Sequence, residues 1–202
     1  LAGSLDVATP ADVPPTLSLL HGNTNFVIVA QGVNRTINEV RMIASNDSTT
    51  TDPHTYFTSK RRKLATTFGG GPEFFTYNFL KYHNISSSDV EIISQKPEDM
   101  PAALASGSVD AVAIFDPFAY FAEQQAAASG LPTQSFVNGN LYSELYVYTV
   151  NKDFLASSPP DTIDRFLRAL IKAEHFTLQN PDAEKEIVIK YTKMDKKTLY
   201  AI

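Results

Sequence analysis

The stretch "LASGSVDAVAIFDP" (residues 104–117) decides how the fold is read, because "LAGSLDVATP" (1–10) carries the same phrase at the start of the chain. Gly3 aligns with Gly107 and Asp6 with Asp110 at one constant spacing. The second copy shows the whole unit. Pro97, Glu98 and Asp99 open a helix that runs through Ala102, Ala103 and Leu104, and Gly107 stops it in the left-handed region. "VDAVAIF" (109–115) then reads as a short buried strand. Asp116 suits a helix cap and Pro117 the first helical position, and "AYFAEQQAAASG" runs on as a helix to Gly130. In the first copy, a helix tail, the Gly3 stop, a strand and the turn-plus-helix "TPADVPPTLSLL" follow in the same order. The helix that should precede Gly3 is not there, so the reading expects a fragment of a longer protein. Two copies of one unit mean a duplicated half and not a solenoid.

The rest of the chain alternates in the same way. "NFVIVAQG" (25–32), "EVRMIAS" (39–45), "RKLATTF" (62–68), "DVEIISQ" (89–95) and "LYSELYVYTV" (141–150) read as strands. "GGGPEFFTYNFLKYH" (69–83) is a glycine-rich turn running into a helix. In "DTIDRFLRALIKA", Ile163, Phe166, Leu167, Leu170 and Ile171 fall on one helical face, and "PDAEKEIVIKY" makes a further helix. Alternating strands and helices imply α/β layering with largely parallel sheets in two halves. Polar stretches near 46–52 and near 141–149 are expected to connect the halves, with the tail helices returning to the first.

Composition limits the function. The chain has 202 residues, 43% of them hydrophobic and 19% charged, which suits a packed core and argues against wholesale disorder. Net charge is −5 and the one basic block, "KRRK" (60–63), is short, so no nucleic-acid partner is expected. The absence of cysteine excludes disulfides, thiolate zinc sites and cysteine nucleophiles. His21, His54, His83 and His175 lack metal-ligand spacing, and neither a nucleophile elbow nor a phosphate-loop lysine is present. No cofactor, metal or catalytic constellation is expected.

Ligands bind at the carboxyl ends of strands in open α/β sheets, where helix starts present free N–H groups. Three such ends occur. "ATPAD" (8–12) offers Thr9, Pro10 and Asp12. "GGGPEFF" (69–75) offers Gly70, Gly71, Pro72, Glu73 and Phe74, with glycines that let backbone approach a ligand closely and a glutamate that repels an anion. "FDPF" (115–118) offers Phe115, Asp116 and Phe118. Asp116 is either a cap alone or a hydrogen-bond acceptor as well, and the phenylalanines either line a pocket or fill core. Tyr142, Tyr146 and Tyr148 share one strand face at period two; either one of them lines the cleft, with Tyr142 taken as that residue, or the alternation marks a half-exposed sheet.

"DVEIISQKPEDMPAALASGSVDAVAIFDPFAYFAEQQ" resembles the substrate-binding proteins of ABC importers for sulfonates, taurine, nitrate and thiamine-precursor pyrimidines. Ala103, Leu104, Gly107, Val109, Asp110 and Ala111 match the helix–strand phrase of that family's second lobe. Phe115 stands where its tryptophan usually does, and Asp116 and Pro117 complete the turn. "LAGSLDVATPADVPP" resembles the first-lobe phrase, "RKLATTFGGGPEFFTYNFLKYHNI" the opening of the second lobe, and "NPDAEKEIVIKYTKMD" the C-terminal helices. The resemblance implies a two-lobed, type II periplasmic-binding-protein-like α/β fold, each lobe a mostly parallel sheet flanked by helices, the first lobe incomplete. Residues 1–48 and 143–202 form the first lobe in this reading and 49–142 the second. It implies a non-enzymatic solute-binding protein, periplasmic or extracellular and in some cases lipid-anchored, closing by a hinge on a small molecule and delivering it to an ABC permease. "GGGPEFF" departs from the family's usual Ser or Thr at that turn, which favours a larger, flatter or neutral ligand over sulfonate or nitrate. An enzyme on the same scaffold and a sensor domain are the rival classes, and exposed sheet edges invite self-association.

Overall fold

The computed structural model describes residues 4–35, 40–46, 50–136 and 140–202, without the side chains of 34 and 35. The elements run β1 (Val7–Ala8), α1 (Val13–Leu20), β2 (Phe26–Arg35), β3 (Val40–Ser45), α2 (Pro53–Thr58), β4 (Arg62–Thr66), α3 (Gly71–Tyr82) and β5 (Val90–Ser94). There follow α4 (Met100–Ala105), β6 (Ala111–Phe115), α5 (Phe118–Ala128), β7 (Thr133–Phe136), β8 (Glu144–Asn151), α6 (Lys152–Ser157), α7 (Thr162–Gln179), α8 (Pro181–Thr192) and α9 (Lys196–Leu199). Local chemistry sets many of these boundaries. Gly107 and Gly130 stand at φ 72° after α4 and α5, where a side chain would be strained. Asp52 accepts from the Thr55 N–H to start α2, and Asn151 accepts from the Asp153 and Phe154 N–H groups to start α6.

The strands form two sheets. One has five strands in the order β5-β4-β6-β3-β7, and the other three in the order β1-β8-β2. In the larger sheet β4 runs parallel to β5 and β6, while β3 runs against β6 and β7. The smaller sheet is antiparallel throughout, which corrects the expectation of two mostly parallel sheets. Parallel neighbours need a crossover that returns to the same sheet. Here β8 arrives from the other sheet, inserts between β1 and β2, and opposes both.

The crossings also differ from the sequence reading. β3 belongs to the five-stranded sheet, so the chain changes sheets between Arg35 and Val40 and not near residues 46–52. It returns between Phe136 and Glu144. The short edge strand β7, "TQSF", escapes the pattern because a four-residue strand half exposed at a sheet edge needs no apolar alternation.

The larger sheet is buried on both faces. Val40, Met42, Ala44, Leu64 and Ala111 face Tyr56, Phe57, Phe75 and Phe79 from α2 and α3. Ile43, Ala65, Val112 and Ile114 face Met100, Leu104, Ala119 and Ala122 from α4 and α5. The two repeated phrases form equivalent strands. The Asp110 C=O accepts from the Ser45 N–H at 2.8 Å beside β3, as the Asp6 C=O accepts from the Asn151 N–H at 2.9 Å beside β8. None of the 18 residues of α7 is buried, although its face is amphipathic; Phe166 packs edge-on against Tyr148.

Candidate ligand-binding site

β4 and β6 are parallel neighbours, so the turns that follow them lie side by side at one end of the larger sheet. The turn after β4 is built by two glycines for two reasons. Gly69 sits at φ 79°, and its N–H donates to the Glu73 carboxylate at 2.7 Å. Gly71 needs room: a Cβ there would stand 2.6 Å from the Tyr142 hydroxyl and 2.7 Å from Glu144 Oε1. The close approach that the glycine run allows is therefore made by side chains of the returning chain.

Tyr142 lies on that return, between the two sheets. Its hydroxyl donates to Asp12 Oδ1 at 2.9 Å, at the start of α1 on the smaller sheet's side. Its ring meets the Phe74 ring edge-on, 5.6 Å between centroids, in the first turn of α3. The Asp12 N–H donates to the Leu145 C=O and the Val147 N–H to the Pro10 C=O, which fixes the α1 start along β8. The Tyr146 hydroxyl contacts Glu144 Oε2 at 3.4 Å. Tyr142 and Glu144 are buried, at 7% and 3% exposure. Burial chiefly, then the bond to Asp12 and the charge of Glu144, push the Tyr142 phenol above its ordinary range, so it stays protonated.

The structure brings Asp12, Gly71, Phe74 and Tyr142 into one cluster and keeps other expected residues apart from it. Thr9 is exposed. Pro10 lines a separate cavity of about 210 Å³ with Pro14, Pro15 and Phe26. Gly70 is the residue before α3, Pro72 is buried in its first turn, and Glu73 is turned toward Gly69. Asp116 accepts from the Tyr120 N–H at 3.0 Å and from Arg41 at 2.9 Å, so it both caps α5 and holds an ion pair. Arg41 also bridges to Glu123 at 3.1 Å. Phe115 and Phe118 meet edge-on beside it, both half-buried.

The sequence reading missed Glu144 and Arg41. Glu144 is the lone acid within "LYSELYVYTV", a signal visible in retrospect; Arg41 is the one charged residue of its strand and gives no local sign of its partners. Tyr142 lies ahead of β8 and not on its face with Tyr146 and Tyr148. Among the described residues, no group of three or more His, Cys, Asp or Glu side chains could hold a metal ion, and no helix is long and apolar enough to cross a membrane.

A family model described as the NMT1-like family matches residues 7–190. The chain belongs to the NMT1-like family. Solved structures agree in fold. The periplasmic aliphatic sulphonate binding protein SsuA from Escherichia coli superposes with a TM-score of 0.77 at 19% identity, over 99% of this chain and 65% of its own. The alkanesulfonate-binding protein SsuA from Xanthomonas axonopodis pv. citri, bound to MOPS, gives 0.76 at 17% identity, over 99% and 66%. The periplasmic nitrate-binding protein NrtA from Synechocystis PCC 6803 gives 0.69 at 17%, over 93% and 52%. The chain thus spans just under two thirds of the length of the first two structures. These likenesses establish the two-lobed periplasmic-binding-protein fold. Among curated proteins no sequence matches.

Proposed function

We propose that this NMT1-like chain is the ligand-holding part of a solute-binding protein of an ABC importer, and that it binds and does not transform its ligand. The observation that carries the reading is the position of Tyr142, which leaves one sheet, bonds to Asp12 beside the other, and packs against Phe74. A residue tied to both lobes at their junction registers their closure on a ligand, the motion by which such folds work. In this reading the protein acts outside the cytoplasm, periplasmic or extracellular, and hands its ligand to a permease.

The chemistry of the junction favours one ligand class. Asp12, Glu144 and the tyrosine oxygens are acceptors or neutral donors, Phe74 is half exposed, and Arg41 is engaged by Asp116 and Glu123. A sulfonate or nitrate would be desolvated beside carboxylates, at a cost that only opposing donors could offset. A flat heterocycle with N–H donors, such as an aminopyrimidine, would stack on Phe74 and donate to Asp12. Calorimetric titration with an aminopyrimidine, taurine, an alkanesulfonate and nitrate tests this. The heterocycle should bind saturably and remain unchanged, and Asp12→Asn should weaken it by about 1–3 kcal/mol, roughly 5- to 150-fold. Tight sulfonate or nitrate binding that Asp12→Asn leaves intact would overturn the assignment of ligand class.

A further inference from the structure

The helix starts that follow β4 and β6 each carry a carboxylate of the chain itself. After β6, Asp116 Oδ1 accepts from the Tyr120 N–H at 3.0 Å in the first turn of α5 and from Arg41 at 2.9 Å. After β4, Glu73 Oε2 accepts from the Gly69 N–H at 2.7 Å. Glu73 stands in the first turn of α3, so its side chain folds back over the start of its own helix. That same turn faces the junction of the sheets, where Gly71 abuts Tyr142 and Glu144 and Phe74 meets the Tyr142 ring.

The Glu73 contact differs from a capping box. There the third helical residue reaches back to the N–H of the residue that caps the helix. Here the cap is Gly70, and Glu73 reaches one residue further, to Gly69 at φ 79°. The turn offers more donors than the chain uses. Among the described residues nothing accepts from the Gly70, Gly71 or Glu73 N–H groups. A glycine turn opening a helix of 12 residues gathers N–H donors at the positive end of the helix dipole, the arrangement that binds an oxyanion. The anion seated on this one is the half-buried Glu73 carboxylate.

We propose that Glu73 sets the ligand specificity of the junction: its carboxylate occupies the glycine turn as a built-in anion and closes it to sulfonates, nitrate and other oxyanions. The inference rests on the solute-binding reading above and adds the residue that enforces the ligand class. A carboxylate tethered to the helix it caps competes as an intramolecular partner, which a free anion at low concentration does not displace. An anion that entered beside it would lose water and stand against the Glu73 charge. Arg41, at the start of β3, is held by Asp116 and Glu123 and does not offset that charge. The exposed face of Phe74 is left to a neutral or cationic ligand.

The test is calorimetric titration of the full-length protein with taurine, methanesulfonate and nitrate, in the wild type, Glu73→Ala, Glu73→Gln and Glu98→Gln. Glu98 is an exposed carboxylate shortly after β5 and serves as the control for a bare change of charge. Glu73→Ala should bind at least one of the three anions at least about 10-fold more tightly than the wild type, the gain expected when a charged acceptor takes over the freed turn. Glu73→Gln, neutral but still able to accept from Gly69, should show a smaller gain, and Glu98→Gln none. A purely structural cap would lower the melting temperature of both Glu73 variants and give no anion binding. Should the alanine protein not fold, the glutamine protein decides by the same gain or its absence. A wild type that binds none of the anions, with Glu73 variants that gain none, overturns the role of Glu73 and leaves the heterocycle reading to its own titration. A wild type that binds an anion as tightly as Glu73→Ala overturns both. An equal gain in Glu98→Gln overturns the role of Glu73, because charge alone then accounts for it.

Discussion

Substituting Gly71 by alanine should cost the protein stability that the same change at Gly70 does not. The Gly71 Cβ would meet the Tyr142 hydroxyl at 2.6 Å, Glu144 Oε1 at 2.7 Å and Tyr142 Cε1 at 2.8 Å, well inside the 3.4 Å at which ordinary contact begins. Neither neighbour yields cheaply. Tyr142 is buried and its hydroxyl is held by Asp12; Glu144 is buried beside it. Either the ring turns away and the bond to Asp12 is lost, at about 1 kcal/mol, or the crowding stays, at about 1–3 kcal/mol. A net loss of about 2 kcal/mol lowers the melting temperature by roughly 4–8 °C for a chain of this size. At Gly70 the added carbon meets Pro72 Cδ at 3.6 Å, an ordinary contact, and φ is −140°. Gly70→Ala is therefore a matched control with the same change in unfolded-chain entropy. Thermal and urea unfolding of the two variants decide the matter. Combining Gly71→Ala with Tyr142→Phe should cost less than the sum of the single changes, because the 2.6 Å contact disappears with the hydroxyl. If Gly71→Ala and Gly70→Ala melt together, the glycine is not there to admit Tyr142 and Glu144.

Three other perturbations follow from named contacts. Arg62→Met should destabilise by about 3 kcal/mol in urea titration, since it removes a buried cation held by Tyr56 and Asp110; a loss below about 1 kcal/mol would show that the packing of the stem suffices. The raised Tyr142 phenol means that the unfolded chain loses its proton first, so the stabilisation is intact below about pH 10 and is lost as pH rises toward the folded value. Melting temperatures from pH 8 to 11 should therefore fall less steeply in Tyr142→Phe than in the wild type, and equal slopes would refute the cause. His83 packs on Phe79 at 4.5 Å, and burial lowers its basicity. Its contribution is present above about pH 6.5 and is lost as pH falls below that, so His83→Gln should flatten the drop in melting temperature between pH 7 and 5; an unchanged drop would assign the acid sensitivity elsewhere.

The α/β layering, most strand positions and the stops at Gly107 and Gly130 were legible because each depends on residues close in sequence: apolar runs, caps and a glycine where φ must be positive. The repeated phrase carried the two-lobed plan, and its aspartates, Asp6 and Asp110, occupy equivalent strand starts in the two sheets; its first glycine, Gly3, lies outside the described residues. The sheet assignment of β3 was not legible, since an apolar strand of six residues fits either sheet and only its pairing with β6 and β7 selects one. The antiparallel form of the smaller sheet depends likewise on where β8 inserts.

The candidate site divides the same way. Its raw materials, a glycine turn before Phe74, an aspartate before α1 and a tyrosine near the return crossing, stand plainly in the sequence. Which of them meet does not. Asp116 looked as available to a ligand as Asp12, yet Arg41, distant in sequence and carried alongside by β3, engages it. Sequence by itself determined the elements, their repeat and the absence of thiol chemistry, because those follow from local sterics, periodicity and composition. The tertiary structure alone decided that Tyr142 bonds to Asp12 and presses against Gly71, because that meeting requires two sheets and the chain between them to be in place together.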